Sequence, residues 1–269
     1  MSLSINSSFA ANSPSVGSQQ NRLFQQISSA TRVNSAADDA AGLAIATQMD
    51  AQLSGDQVAM RNAADGISYA QTASGALDSV TSNLQRMREL AVQAGNGAYN
   101  DSDRAALQKE YSALAEDTQT LLKTSSFNGQ SLFDRNSELS FQVGADAGDQ
   151  ITINSVDLAT ALSDSGALSA SLSSQSGAAD ALSALDDSLQ QVSSEQANYG
   201  AAINRFESSI DSTQIRAENT AAARSRIMDT DLAAATSELA KEQIKNQAQI
   251  AVQAQANGNA QQILRLLGG

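Results

Sequence analysis

From Leu182 to Ile227 the chain repeats a stripe at alternating steps of three and four residues: Leu182, Leu185, Leu189, Val192, Gln196, Tyr199, Ile203, Phe206, Ile210, Thr213, Ala217, Thr220, Arg224 and Ile227. A mean step of about 3.5 keeps one stripe facing a partner along a supercoiled helix. At about 1.5 Å per residue the helix is a rod of roughly 70 Å. So long a helix must lie against another in the same chain, or against neighbours in an assembly. Thr213, Thr220 and Arg224 replace large apolar residues toward its end, which predicts a change of packing in the C-terminal quarter.

A second stripe runs through Ala63, Ile67, Ala70, Ser74, Leu77, Val80, Leu84, Met87 and Ala91, and stops at Gly95-Asn96-Gly97, a helix C-terminal signal. Asp101 can cap a third helix, with Asp103 in its first turn and Leu107, Tyr111, Leu114, Leu121 and Leu122 on its buried side. That helix ends by Ser125, Ser126, Asn128 and Gly129. Ahead of these, Val16, Leu23, Ile27 and Ala30 share one thin face with Phe24 beside it, predicting a helix that starts after Pro14 or earlier. Such a face cannot hold a fold alone. Asn34, Ser35, Asp38 and Asp39 are turn and cap formers that break the pattern, Gly42 relieves crowding, and the helical signal returns near Leu43.

Between Leu132 and Leu158 the period changes. Leu139, Phe141 and Val143 alternate, GADAGD turns the chain, and Ile151 and Ile153 alternate again, predicting a β-hairpin backed by the helices. Residues 159–181, rich in Ser and Ala, read as a weakly specified connection. After Ile227 a helix restarts at Asp229 or Thr230; Leu232, Leu239, Ile250 and Val252 are its apolar residues, and Ile263, Leu264, Leu266 and Leu267 form an apolar tip suited to burial between subunits.

Composition sharpens this picture. Much of the 41% hydrophobic share is alanine, and Pro14 is the one proline in 269 residues, so long thin helices packed through small residues suit the chain better than a bulky globule. Of the formal net charge of −13, residues 1–33 carry +2, residues 232–269 carry +1 and the middle carries −16. That distribution predicts a solvated acidic body with near-neutral ends that meet copies of themselves. It argues against nucleic acid as a partner.

Cys and His are absent, which removes thiol and imidazole chemistry, disulfides and the common zinc sites. Lys109, Lys123, Lys241 and Lys245 sit in solvent-type helix contexts rather than beside a nucleophilic serine, and Asp38 and Asp39 read as caps before a cation site. The reading is a non-enzymatic protein without metal or cofactor. No run of about 18 apolar residues predicts a membrane span. The opening MSLSINSSFAANSP lacks the charged and apolar regions of a secretory leader, so export would proceed without a cleaved signal peptide.

Ordered motifs along nearly the whole chain carry a resemblance. RVNSAADDAAGLAIA (32–46), NAADGISYAQTASGAL (62–77), NLQRMRELAVQAGNG (83–97), SSFNGQSLF (125–133), FQVGADAGDQITI (141–153), YGAAINRFESSI (199–210), ARSRIMDTDLA (223–233) and VQAQANGNAQQILRLL (252–267) resemble bacterial flagellin. Before Arg32 this chain reads Ser-Ser-Ala-Thr where the family usually has a glycine, a departure that bears on local backbone shape.

The resemblance implies a mainly α fold, a long coiled-coil-like bundle with one β-hairpin, whose N- and C-terminal helices pair coaxially in a filament. It divides the chain into 1–42 (N-terminal half of the filament-core domain, with linker), 43–158 (first part of the bundle, with hairpin 139–153), 159–181 (a short connection replacing surface domains), 182–227 (C-terminal bundle helix) and 228–269 (C-terminal half of the core domain). Leu23, Ile27, Leu239, Ile250, Ile263, Leu264 and Leu267 would pack the filament core. Ile67, Leu77, Leu84, Leu114, Leu189, Val192, Ile203, Phe206 and Ile210 would form the bundle core, and Phe141, Val143, Ile151 and Ile153 a switch hairpin.

Arg86, Leu90 and Glu110 match the family's contacts with the vertebrate flagellin-sensing Toll-like receptor, although Arg86 and Glu110 read equally well as intersubunit ion-pair partners or solvated charges. The implied function is an extracellular subunit that polymerises into the flagellar filament and transmits motor torque. Its implied partners are copies of itself, the flagellar cap, the hook–filament junction, a secretion chaperone, the export apparatus and that receptor. The alternatives are a hook–filament junction protein or, more remotely, a soluble coiled-coil scaffold or adhesin.

Overall fold

The computed structural model describes residues 13–267, with side chains described at 18–259 and 261–263. The elements in order are α1 (Ser13–Ser29), α2 (Ala36–Ala94), α3 (Asp101–Thr124), β1 (Ser126–Phe127), β2 (Gln130–Ser131), β3 (Ser137–Gln142), β4 (Gln150–Ser155), α4 (Leu158–Asp164), a 3-10 turn (Ala167–Ser169), α5 (Gln175–Met228) and α6 (Leu232–Leu267). The fold is mainly helical, as its periodicity predicts. Two compact units divide it, one from the segments up to Leu53 and from Glu218 onward, the other from Ser54–Ala217.

In the Ser54–Ala217 unit, the apolar stripes meet. Leu77, Val80, Leu84 and Met87 of α2, Tyr111 and Leu122 of α3, and Leu185, Val192, Tyr199 and Phe206 of α5 form one buried core. Ile67, Leu114, Leu189, Ile203 and Ile210 are half-buried against it. α3 starts with a capping box. The Asn100 side chain accepts the Asp103 N–H, and the Asp103 carboxylate accepts the Asn100 N–H. The cap is therefore Asn100, with Asp101 the first helical residue, because only Asn100 has the extended backbone a cap requires.

The predicted hairpin is β3–β4, antiparallel, with Leu139 opposite Ile153 and Phe141 opposite Ile151. A second, shorter hairpin precedes it. Phe127 pairs with Gln130, and the two loop residues Asn128 (φ 50°) and Gly129 (φ 77°) are both left-handed, as a tight two-residue turn demands. Residues 159–181 are more ordered than their composition suggests. They hold most of α4, the 3-10 turn and the first turns of α5, with Leu162, Ala167, Leu172, Ala178 and Ala181 buried.

In the unit of the two chain ends, α1 packs against α6. Thr31 and Asp229 form an antiparallel bridge where the chain leaves α1 and enters α6. The Thr230 N–H donates to the Ala30 carbonyl at 3.1 Å, and Arg32 Nη2 donates to the Ile227 carbonyl at 2.6 Å. Val33, Ala46 and Met228 form a small core with Leu43 and Ile227. Ala30 sits at φ 56°, a left-handed conformation that suits glycine. Asp39 breaks the start of α2 (φ −160°), and its carboxylate caps the following segment by accepting the Gly42 N–H at 2.8 Å. Asp38 accepts the backbone N–H groups of Asn34 and Ser35 and the Ser35 hydroxyl, which holds its carboxyl below the usual carboxylate range.

Candidate functional site

Among the described residues, no group of three or more His, Cys, Asp or Glu side chains is placed to hold a metal ion. The surfaces that could act are faces of helices, beginning with the terminal pair. Leu23 and Ile27 of α1 and Leu239 of α6 are half-buried, whereas Ile250 and Ile263 of α6 are exposed. The side chains of Leu264 and Leu267 lie outside the described residues. Ile244 and Val252 are more than half exposed as well, and so is Phe24 on α1. Leu239 and Ile244 stand about 140° apart around α6, so its apolar residues are not confined to the face that α1 covers. A helix apolar around its circumference is one that neighbours enclose. On α6 the Lys245 ammonium holds the buried Glu242 carboxylate at 2.7 Å.

The charges predicted on the bundle come together. The Arg86 guanidinium donates to Glu110 through Nε (3.0 Å) and Nη2 (2.7 Å), and through Nη1 to Glu89 (2.8 Å). These bonds, Glu89 first, raise its already high pKa further. Arg88 pairs with Asp186 of α5 at 2.7 Å, so the same rim also ties α2 to α5. Leu90, unlike Arg86 and Glu110, is fully buried in the core. The surface matching Arg86, Leu90 and Glu110 is thus two exposed charges above a buried leucine.

The hairpin packs through the residues predicted for it. Val143, Ile151 and Ile153 are buried and Phe141 is half-buried. The Phe141 ring meets Phe206 edge-on, with centroids 5.3 Å apart, and the Tyr69 ring is tilted against it with centroids 6.0 Å apart. Burial pushes the Tyr199 hydroxyl well up, and pushes that of Tyr111 up to about 12.

Two polar constellations escaped the sequence reading. Arg104, buried, donates to the carbonyls of Ala94 (2.9 Å), Tyr99 (2.8 Å) and Asn96 (3.0 Å), so a side chain of α3 satisfies the end of α2 and the loop after it. The available signal was a cation just beyond a Gly-Asn-Gly helix stop. The other is the ion pair of Asp56 and Arg216, residues 160 apart in sequence, which no local pattern joins. Among the described residues, no group of three or more His, Cys, Asp or Glu side chains could hold a metal ion, and no helix is long and apolar enough to cross a membrane.

Comparison with known proteins adds to this geometry. The bacterial flagellin N-terminal helical region matches residues 2–138, and the bacterial flagellin C-terminal helical region matches residues 182–267. A flagellin of Halalkalibacterium halodurans is 42% identical over 255 residues, covering 93% of this chain and 92% of the relative. The crystal structure of Bacillus cereus flagellin superposes with a TM-score of 0.53 at 30% identity, covering 61% of this chain and 94% of that one. A putative flagellar hook-associated protein from Vibrio parahaemolyticus gives a TM-score of 0.60 over 71% of this chain and all of that one. At 16% identity that likeness concerns the fold alone.

Proposed function

This chain belongs to the bacterial flagellin family, and from that premise we propose that it polymerises with copies of itself into the extracellular flagellar filament and carries motor torque along it. It is a short member: between the two matched family regions only residues 139–181 remain, and no surface domain is inserted there. The observation that carries the reading is the set of exposed apolar residues spread around α6, Ile244, Ile250, Val252 and Ile263, on a chain whose remaining charge is strongly acidic. Enclosure of those residues by neighbouring copies, in a heterologous contact that repeats without closing, yields a filament. Leu23, Ile27 and Leu239 would pack the same core from within each subunit.

The hairpin of Phe141, Val143, Ile151 and Ile153 would serve as the packing element whose small shifts set the filament's supercoil. Arg86 and Glu110 would offer their charges to a neighbouring subunit in the polymer and to the Toll-like receptor in the free chain, with Leu90 supporting them from below. The cap, the hook–filament junction, the secretion chaperone and the export apparatus follow as partners from family membership. The junction-protein alternative is less well supported, because the close sequence relative is a flagellin while the hook-associated likeness is one of fold.

The test is sedimentation of the purified chain after salting-out, beside a variant lacking residues 1–33. The full chain pellets as polymer and the variant stays in the supernatant. Equal behaviour of the two contradicts the reading.

A further inference from the structure

The turn of the β3–β4 hairpin is tied to both long helices by one chain of charges. Asp56 of α2 is fully buried, at 0% exposure, and neither carboxylate oxygen has a hydrogen-bond partner. Its counter-charge is Arg216 of α5, whose Nη2 lies 3.3 Å from Asp56 Oδ1 while donating to Thr213 Oγ1 at 3.2 Å. The other terminal nitrogen, Nη1, lies 3.8 Å from Asp149 Oδ2 in the hairpin turn. Asp149 also closes the turn through its backbone, its carbonyl accepting the Val143 N–H at 2.8 Å and its N–H donating to Asp146 at 3.0 Å.

The turn is seated where this chain of charges runs. A methyl group on Gly55, next to Asp56, would come within 2.9 Å of the Ala145 side chain, so the turn rests directly on α2 there. The Asp149 carboxylate lies across Gly144, at a position that any larger residue would contest. A groove of about 620 Å³ between the turn and α5 is lined by Asp149, Thr213 and Arg216 among others, and the Arg216 guanidinium is partly exposed there.

We propose that Asp56, Arg216 and Asp149 form a proton-operated latch, which holds the hairpin turn against α2 and α5 while Asp56 is ionised and releases it when Asp56 takes up a proton. A buried carboxylate holds a half-exposed guanidinium in place through charge; a neutral carboxyl leaves that guanidinium better solvated in the groove. The remaining Arg216–Asp149 contact is long and partly exposed, and such contacts hold little alone. The proton comes from bulk solvent and stays on the Asp56 carboxyl, while the guanidinium keeps its charge.

The charges acting on Asp56 are Arg216 from α5 and Asp146 and Asp149 from the hairpin turn. Burial raises its carboxyl above the ordinary range, Arg216 opposes that, and the two turn aspartates reinforce it. On acidification Asp56 therefore titrates ahead of the ordinary carboxylates, and the latch opens while the bundle is otherwise intact.

The latch is a property of the single chain and is tested on it, whether or not the chain polymerises. Carboxyl carbon NMR follows the Asp56 titration, and amide hydrogen exchange reports protection at Val143 and Asp149 across the same pH range. The expected result is a fall in protection of about tenfold at the Asp56 midpoint, a local opening, with the amides around Tyr111 in α3 unchanged. D56N and R216Q show the opened turn at neutral pH, with no further step on acidification. Hairpin protection that stays flat through the Asp56 titration overturns the latch. So does loss of protection throughout the bundle at the same pH, which is global unfolding.

Discussion

The Phe206 ring of α5 lies over Gly66 of α2 so closely that a methyl group on Gly66 would stand 2.5 Å from Phe206 Cζ. The same ring meets Phe141 of the hairpin edge-on. One aromatic side chain thus joins both long helices and the sheet, and it fits because α2 has no side chain at that point. G66A forces the ring or the helix to shift, at about 1–3 kcal/mol. F206A leaves a cavity and costs about 3–5 kcal/mol. Urea unfolding of each variant measures these losses, and unchanged midpoints would show that this contact does not organise the bundle.

Ala30 is the second test of backbone shape. Its left-handed conformation costs an L-residue about 1–2 kcal/mol, part of which glycine gives back as unfolded-state entropy. A30G should therefore stabilise the unit of the chain ends by about 0.5–1 kcal/mol. Hydrogen exchange of the Thr230 N–H, which donates to Ala30, is a direct local readout.

Arg104 holds three carbonyls at the end of α2. R104A leaves the buried Ala94 carbonyl and the part-buried Asn96 and Tyr99 carbonyls without their donor and should lower bundle stability by about 1–3 kcal/mol. R104K retains charge but not the fork geometry, and should recover only part of the loss.

Burial raises the Glu195 carboxyl above its ordinary value, and a weaker hydrogen bond from Asn198 opposes it. A raised carboxylate favours the protonated folded state. Its contribution is thus fully present below the unfolded-state value and is lost as pH rises through the folded one. E195Q should stabilise the bundle at about pH 7 and make no difference at about pH 3. Chemical unfolding at the two pH values decides it. A variant equally destabilised at both would assign Glu195 a packing role.

The helical architecture was legible because burial leaves a periodic mark. Leu185, Val192, Tyr199 and Phe206 recur seven residues apart and all face the core. The start of α5 was not legible, because Ala178 and Ala181 are buried there and alanine carries little hydrophobic contrast. Asn128-Gly129 reads in sequence as a helix stop, since that pair marks both helix ends and tight hairpins and only pairing distinguishes them. Leu90 keeps the motif of an exposed neighbour, yet faces inward because helix phase puts it on the stripe of Leu84, Met87 and Ala91. Asp56 and Arg216 meet only because α2 and α5 lie side by side, a relation no local spacing encodes.

The most direct measurement is electron microscopy of filament seeds extended with purified subunit, comparing the parent chain with I244D and I250D. These substitutions place charge on the exposed face of α6 and leave the bundle core untouched. The parent should give long extensions and neither variant any, with circular dichroism showing both variants helical. Extensions of equal length from all three would show that Ile244 and Ile250 are free of subunit contact in the filament and overturn the assembly reading.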